Sequence, residues 1–179
     1  AFLLAQSRMK NGHPHASYQA LASMPLQEFN ATAWEDHFWD ACMQSFAQPS
    51  KEDPQKRAEF FMRCFHKAQA HTPKKWTDAA IKDMANTCDA QLLEGIIANF
   101  TPNDLKQTDS ALTFFDAWKT KATDKVPQTS LAIVAQQAVA MASNAPSRNA
   151  KAIIFNFFMA DPTPKTQAQA LAKHIARDK

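Results

Sequence analysis

The run ALTFFDAWKTKATDKVPQTSLAIVAQQA, residues 111–138, decides the fold class of this chain. Its apolar residues recur every three or four positions on both sides of Pro127, which is the spacing of one helix face. A proline suits the first turn of a helix, because its missing N–H would have no partner there. The run therefore predicts two helices joined by a turn near Pro127. The apolar positions are Leu112, Phe115 and Trp118 before the proline, and Leu131, Val134 and Ala138 after it.

Similar signals for helix starts occur along the whole chain. A threonine or aspartate N-cap stands directly before a proline at four places, and another stretch has the spacing of a capping box. Short turns between such starts place neighbouring helices antiparallel. We therefore predict an all-α fold of about eight helices. The four N-cap pairs are Asp53-Pro54, Thr72-Pro73, Thr101-Pro102 and Thr163-Pro164, and the capping-box stretch is Thr32-Ala33-Trp34-Glu35.

The composition supports this fold class and argues against several functions. The chain has 179 residues, of which 45% are hydrophobic, and only two are glycines. Tight hairpins and phosphate-cradling loops need glycine, so neither is expected. The net charge of +3 is too small to indicate a nucleic-acid partner by itself. No run of about 18 apolar residues is present, so no membrane span is predicted.

No catalytic, cofactor or metal site is predicted from motifs. Nucleophile elbows, glycine-rich loops and metal-protease histidine pairs are all missing from the sequence. The three cysteines, Cys42, Cys64 and Cys88, are expected to be reduced and packed as small apolar groups. Cys64-Phe65-His66 resembles half of a zinc site, but no second pair at ligand spacing accompanies it. We therefore expect a protein that is not an enzyme and binds no cofactor.

Internal similarity is the most informative feature of the sequence. Four alanines each have large apolar residues three and seven positions later, and in three cases a proline follows about 14–16 residues after the alanine. A small alanine allows close approach of two helices, and the large residues fill the space to the next pair. The alanines are Ala58, Ala90, Ala111 and Ala150, and the prolines are Pro73, Pro127 and Pro164.

These segments resemble the helix pairs of pentatricopeptide (PPR) repeats. The similarity is carried by residues 58–76, 111–138 and 150–175, and it is degenerate because the intervals between the prolines are unequal. The resemblance implies a short α-solenoid of helical hairpins, with residues 1–30 as an N-terminal arm or short first helix and residues 31–179 as the repeat domain. An irregular helical bundle without repeats is the alternative.

The length and alanine-rich composition are also similar to those of the small PPR-like subunits on the catalytic head of euglenozoan mitochondrial ATP synthase. That resemblance implies a non-catalytic subunit in the mitochondrial matrix, docked on the outside of the ATP synthase α subunit. The first residues, AFLLAQSRMK, contain basic residues and no acid, which fits either the remnant of a targeting presequence or an arbitrary start.

The helix that begins near Trp34 is the expected docking surface for such a partner. Phe38, Trp39 and Met43 give it a second apolar face, and exposed aromatic residues often dominate protein interfaces. The alternative is that both apolar faces of this helix are buried in the fold. A docking role is thus predicted for Trp34, Phe38, Trp39 and Met43.

RNA binding is the competing hypothesis, because most PPR proteins bind RNA. Basic residues lie near the predicted repeat junctions and along one helix, but acids are interleaved with them. The positions expected to contact bases fall near Ala132 or Ile133, which cannot hydrogen-bond a base edge. Protein binding is therefore preferred. The basic residues are Arg57, Arg63, Lys67, Lys74, Lys75, Lys119, Lys121 and Lys125.

Overall fold

The computed structural model describes residues 2–11, 19–121 and 128–145, with the single positions 148, 152 and 156. Over these residues every regular element is a helix and none is a strand, so the predicted all-α fold is confirmed. The helices are α1 (Phe2–Lys10), α2 (Leu26–Ala31), α3 (Asp36–Ala47), α4 (Pro54–Gln69), α5 (Asp78–Thr87), α6 (Ala90–Ala98), α7 (Pro102–Lys106), α8 (Thr108–Lys121) and α9 (Gln128–Ser143). A further helical turn occupies residues 19–22.

Two of the predicted helix starts are confirmed. Helix α7 begins at Pro102 with a complete capping box, in which Thr101 Oγ1 accepts from the Asp104 N–H and the Asp104 carboxylate accepts from the Thr101 N–H at 2.8 Å. Helix α4 begins at Pro54, and Asp53 Oδ1 accepts from the Lys56 N–H at 3.0 Å. Each cap satisfies backbone N–H groups that have no partner inside the helix.

Two other predicted starts are wrong. The Thr32 hydroxyl donates to the Glu28 carbonyl at 2.8 Å, so it closes helix α2 instead of opening the next helix, and α3 begins at Asp36. Pro73 opens no helix either. The Thr72–Pro73 peptide bond is cis, and α5 begins at Asp78 with Thr77 as its N-cap. The prediction that a repeat junction with a new helix lies at Pro73 is therefore wrong. The helices predicted beyond residue 150 lie outside the described residues, and the repeat arrangement stays a prediction.

Contacts divide the chain into two compact units. The first unit comprises Ala1–Glu52 and Phe60–Cys88. Within it α3 packs against α1 and α5, and the interior consists mainly of aromatic rings. Phe61 stacks on Trp76 with ring centroids 5.8 Å apart and meets Phe46 edge-on at 5.1 Å. The buried rings are Phe29, Trp34, Phe38, Trp39, Phe46, Phe60, Phe61, Phe65 and Trp76.

The second unit comprises Asp53–Glu59 and Asp89–Lys179. Helix α6 packs against α8 and α9, and α7 also packs against both of these helices. The short α6 is apolar on nearly every side, as its buried residues Leu92, Leu93, Ile96 and Ile97 show. A Cβ atom built on Gly95 would lie 2.7 Å from Ala58 Cβ, so only glycine permits this close approach. Among the described helices none is both long and apolar enough to cross a bilayer.

Candidate functional site

Three of the four residues predicted to form a docking surface lie inside the first unit. Trp34, Phe38 and Trp39 are buried, and the Trp34 ring packs on both others with centroids 5.0 and 4.5 Å apart. The Trp39 backbone carbonyl also accepts a hydrogen bond from Trp76 Nε1 at 3.3 Å. The prediction that these three residues form a docking surface is therefore wrong, because they are buried in the core of the first unit. Only Met43 remains partly exposed.

Met43 lines an open groove of about 370 Å³ between α3 and α5. Each helix contributes residues at the spacing i, i+3, i+4 and i+7, which places them on one face. Met84 is buried at the bottom, whereas Met43, Ala47 and Ala80 are half-buried. The groove thus combines an apolar floor with access from solvent. Its lining residues are Asp40, Met43, Gln44 and Ala47 from α3, and Ala80, Asp83, Met84 and Thr87 from α5.

The charged residues of the groove are both acidic. Asp40 and Asp83 are exposed, one on each helix, and neither has an ion-pair partner among the described residues. The Thr87 hydroxyl is occupied locally, since it lies 2.7 Å from the Met84 carbonyl oxygen of its own helix. A ligand in this groove would therefore meet methionine and alanine side chains in the middle and carboxylates beside them.

No family model, curated protein or solved structure matches this chain. The geometry of its side chains therefore carries the functional argument.

The basic residues that would favour RNA binding are largely committed to contacts inside the protein. Arg57 is buried and lies 3.8 Å from the Asp89 carboxylate. Arg63 donates to the carbonyls of Ala22 and Met24, at 2.9 and 2.7 Å. Lys67 and Lys119 are also buried, while Lys74 is exposed. Of the three basic residues of α4 named above, Arg57 and Lys67 are buried and Arg63 is half-buried, and Lys125 lies outside the described residues.

Two pairs of charged residues lie near the start of α3. The Glu35 carboxylate and His37 Nδ1 lie 3.3 Å apart, and both side chains are exposed. Lys75 donates to Asp36 Oδ1 at 2.8 Å. This hydrogen bond, together with the lysine charge, holds the pKa of the Asp36 carboxyl below its ordinary value.

The three cysteines are free and buried, as predicted. Cys42 Sγ donates to Cys64 Sγ at 3.6 Å, and Cys88 Sγ lies 3.1 Å from Met84 Sδ. Burial raises the pKa of the Cys64 thiol well above its ordinary value, and the hydrogen bond with Cys42 adds to this effect. In the part of the chain that the structure describes, no three histidine, cysteine or acidic side chains converge to hold a metal.

The α5 side of the groove was not predicted from the sequence. In the sequence, Ala80, Asp83, Met84 and Thr87 already stand at the spacing i, i+3, i+4 and i+7. That spacing was the available signal. It was ambiguous because an apolar stripe does not reveal which neighbour, if any, covers it.

Proposed function

We propose that this chain is a non-catalytic protein-binding subunit and that the groove around Met43 is its docking surface. The single observation that carries this proposal is the groove itself, with an apolar floor between one stripe of α3 and one of α5 and an exposed carboxylate on each helix. Partly exposed methionines adapt to different partner shapes, so they are frequent at docking surfaces.

The chemistry of the groove defines the occupant. It fits one face of an amphipathic helix, which would place apolar side chains between Met43 and Ala80 in the helix-in-groove mode. Asp40 and Asp83 favour lysine or arginine beside that apolar face, because opposite charges at an interface give specificity and speed association. The partner is therefore a protein segment that is helical, apolar on one side and basic at the edges.

The α subunit of the mitochondrial ATP synthase catalytic head is the partner that we propose on the resemblance to small PPR-like subunits. The same proposal implies a position on the matrix side of the inner membrane, as a subunit of an ATP-synthesising complex with no catalytic residue of its own. Protein binding is supported over RNA binding because three of the basic residues make contacts inside the protein. These residues are Arg57, Arg63 and Lys67.

To test this proposal, the tagged full-length chain is immobilised and mixed with the isolated catalytic head, and the retained protein is measured. The salt concentration is about 0.5 M, at which exposed charges are largely screened. The wild-type chain should retain the α subunit. Met43→Asp should weaken binding at least about tenfold, equivalent to about 1.4 kcal/mol, because it places a charge on the apolar floor. Ile133→Asp is the matched control, since it changes an exposed apolar residue of the second unit.

Two outcomes would reject parts of this proposal. Equal binding by the Met43 variant and wild type would remove the groove as the docking surface. Recovery of RNA in place of the α subunit, lost on ribonuclease treatment, would instead favour a mitochondrial RNA-binding PPR protein.

A further inference from the structure

A second cavity lies in the first unit, at the C-terminal ends of α2 and α4. Its volume is about 340 Å³, within the range of small-molecule sites. Its polar side chains are those of Asn30, His66, Lys67 and His71, and Ala70 completes the lining. All four carry N–H donors, since even a neutral imidazole has one N–H. The side-chain acceptors are limited to one amide oxygen and the imidazole nitrogens, and no carboxylate lines the cavity.

Lys67 is the charged group of this cavity, and only 7% of its surface is exposed. Its Nζ donates to the Asn30 carbonyl at 2.8 Å and lies 5.7 Å from the Phe29 ring centroid and 5.5 Å from that of Trp34. An ammonium has three donors, so the bond to Asn30 leaves two. No described carboxylate pairs with it. Burial accordingly lowers the pKa of Lys67.

A second cation lies one helical turn before Lys67. The Arg63 guanidinium sits 4.5 Å from the Phe29 ring centroid, and its hydrogen bonds go to two neutral backbone carbonyls. Arg63 Nε is buried and has no acceptor among the described residues. Two positive charges are therefore held near Phe29 by rings and carbonyls, with no described acid paired to either. Two cations without a described paired acid favour an anionic ligand nearby.

The neighbouring indoles also carry N–H donors. Trp39 Nε1 and Trp34 Nε1 are buried and find no acceptor in the described part of the chain. The Trp39 ring packs edge-on against His71, with centroids 5.4 Å apart, and His71 lines the cavity. These two indole N–H groups are buried beside the cavity and do not line it, so the donors open to a ligand are those of the lining side chains.

The C-terminal ends of α2 and α4 oppose an anion, but some of their carbonyl oxygens already accept hydrogen bonds. An α-helix C-terminus carries partial negative charge, which would repel an anion. At the end of α4, however, the Ala68 carbonyl accepts from the N–H groups of His71 and Lys75, and the His66 carbonyl accepts from the Ala70 N–H. Lys67 itself covers the Asn30 carbonyl at the end of α2. These carbonyl oxygens therefore have donors of their own.

We propose that this cavity binds a small oxyanion of the phosphate class, either free phosphate or a phosphomonoester. Lys67 supplies the charge, while Asn30, His66 and His71 supply N–H donors around it. Phosphate suits this set because it offers several acceptor oxygens and a negative charge to a lysine that no described carboxylate pairs with. A metal cation would meet the positive charge of Lys67 and is disfavoured.

The experiment is a titration of the isolated full-length chain with inorganic phosphate at constant ionic strength, with imidazole resonances followed by NMR. Saturable shifts of the His66 and His71 resonances are expected, with the resonances of exposed His37 as the internal reference. Lys67→Met should weaken binding at least tenfold. Lys74→Met is the matched control, because it removes the same charge from an exposed position, and it should bind as wild type does.

Parallel titrations identify the source of the oxyanion and can overturn the proposal. Tighter binding of glycerol phosphate than of inorganic phosphate would point to a phosphomonoester, and the reverse order to the free ion. The proposal fails if no shift saturates by about 10 mM, tenfold above a Kd of about 1 mM. It also fails if citrate binds better, if Lys74→Met weakens binding as much as Lys67→Met, or if only oligouridylate binds.

His71→Gln provides a second variant should Lys67→Met fold poorly. It keeps a hydrogen-bonding side chain of similar reach and leaves Lys67 in place, and a several-fold weakening of phosphate binding is expected. Unchanged binding in this variant would remove His71 from the site. Because the titration needs no partner protein, its outcome is separate from that of the docking test.

Discussion

The two units differ in whether the N–H groups of their buried tryptophans find hydrogen-bond acceptors. In the second unit the Trp118 indole donates to Glu94 Oε1 at 3.2 Å. In the first unit the buried Trp34 and Trp39 indoles have no acceptor among the described residues, and neither has Arg63 Nε. Both cations of α4 that contact aromatic rings, Arg63 and Lys67, also belong to the first unit.

This difference follows from the composition of the two interiors. Helix α6 fills the second unit with aliphatic side chains, which bring no polar atom with them. Tryptophan-rich packing in the first unit gains more apolar area per residue, but each indole also brings an N–H group. Both proposed sites, the groove around Met43 and the cavity around Lys67, lie in this first unit. Among the described residues, the first unit thus combines a mainly aromatic core with the two proposed sites.

The largest expected effect compares the two cores directly. Phe61→Ala removes a ring that contacts Phe46, Phe65 and Trp76, and should lower the free energy of unfolding by about 4 kcal/mol. Ile96→Ala in the second unit should cost about 3 kcal/mol. Urea unfolding measures both, and exposed Lys56→Ala is the control. The reverse order would contradict the larger role of rings in the first unit.

A second test concerns close packing in the second unit. Gly95→Leu should destabilise the protein by about 3 kcal/mol, because even a Cβ atom at Gly95 would lie 2.7 Å from Ala58 Cβ. Gln91→Leu, at an exposed position of the same helix, should have little effect in thermal unfolding. Gly95→Ala should recover stability when it is combined with Ala58→Gly. If the double variant is no better than Gly95→Ala alone, contact with Ala58 is not the cause.

The smallest expected effect concerns surface charge on the first unit. Because Lys75 lowers the pKa of Asp36, their pair stabilises the fold above the ordinary carboxyl pKa, about 4, and this contribution is lost as the pH falls through the lowered value. Thermal unfolding of wild type and Asp36→Asn should therefore differ slightly at neutral pH and converge in strong acid. If the stability difference between wild type and Asp36→Asn instead grows as the pH falls, the Asp36–Lys75 pair does not stabilise the fold in the way proposed.

Local signals in the sequence predicted the fold class and several helix starts. The Thr101 and Asp53 starts were predictable because each cap uses backbone groups within three residues of itself. Thr32 was misassigned because its hydroxyl had two possible local partners, and it bonds backward to Glu28. Pro73 was misassigned because proline is equally compatible with an extended loop, and α5 is capped later by Thr77.

The sites were less predictable, because they depend on contacts between distant residues. Helical spacing identified the apolar residues of α3 but did not indicate that Trp39 faces the core and Met43 the solvent. That division is set by which helices pack on α3. Similarly, Lys67 was recognised only as one basic residue of α4. Its contact with Asn30, far away in the sequence, depends on the packing of α2 near the end of α4.

The location of the cysteines has a practical consequence for following this molecule in solution. All three thiols of the chain belong to the first unit, and each is shielded from solvent. A thiol-specific reagent added to the native protein reacts only with molecules in which that unit has opened, so the labelling rate reports the opening frequency of one unit. The chain thus contains its own chemical reporter for the region that holds both proposed sites, and no label has to be introduced.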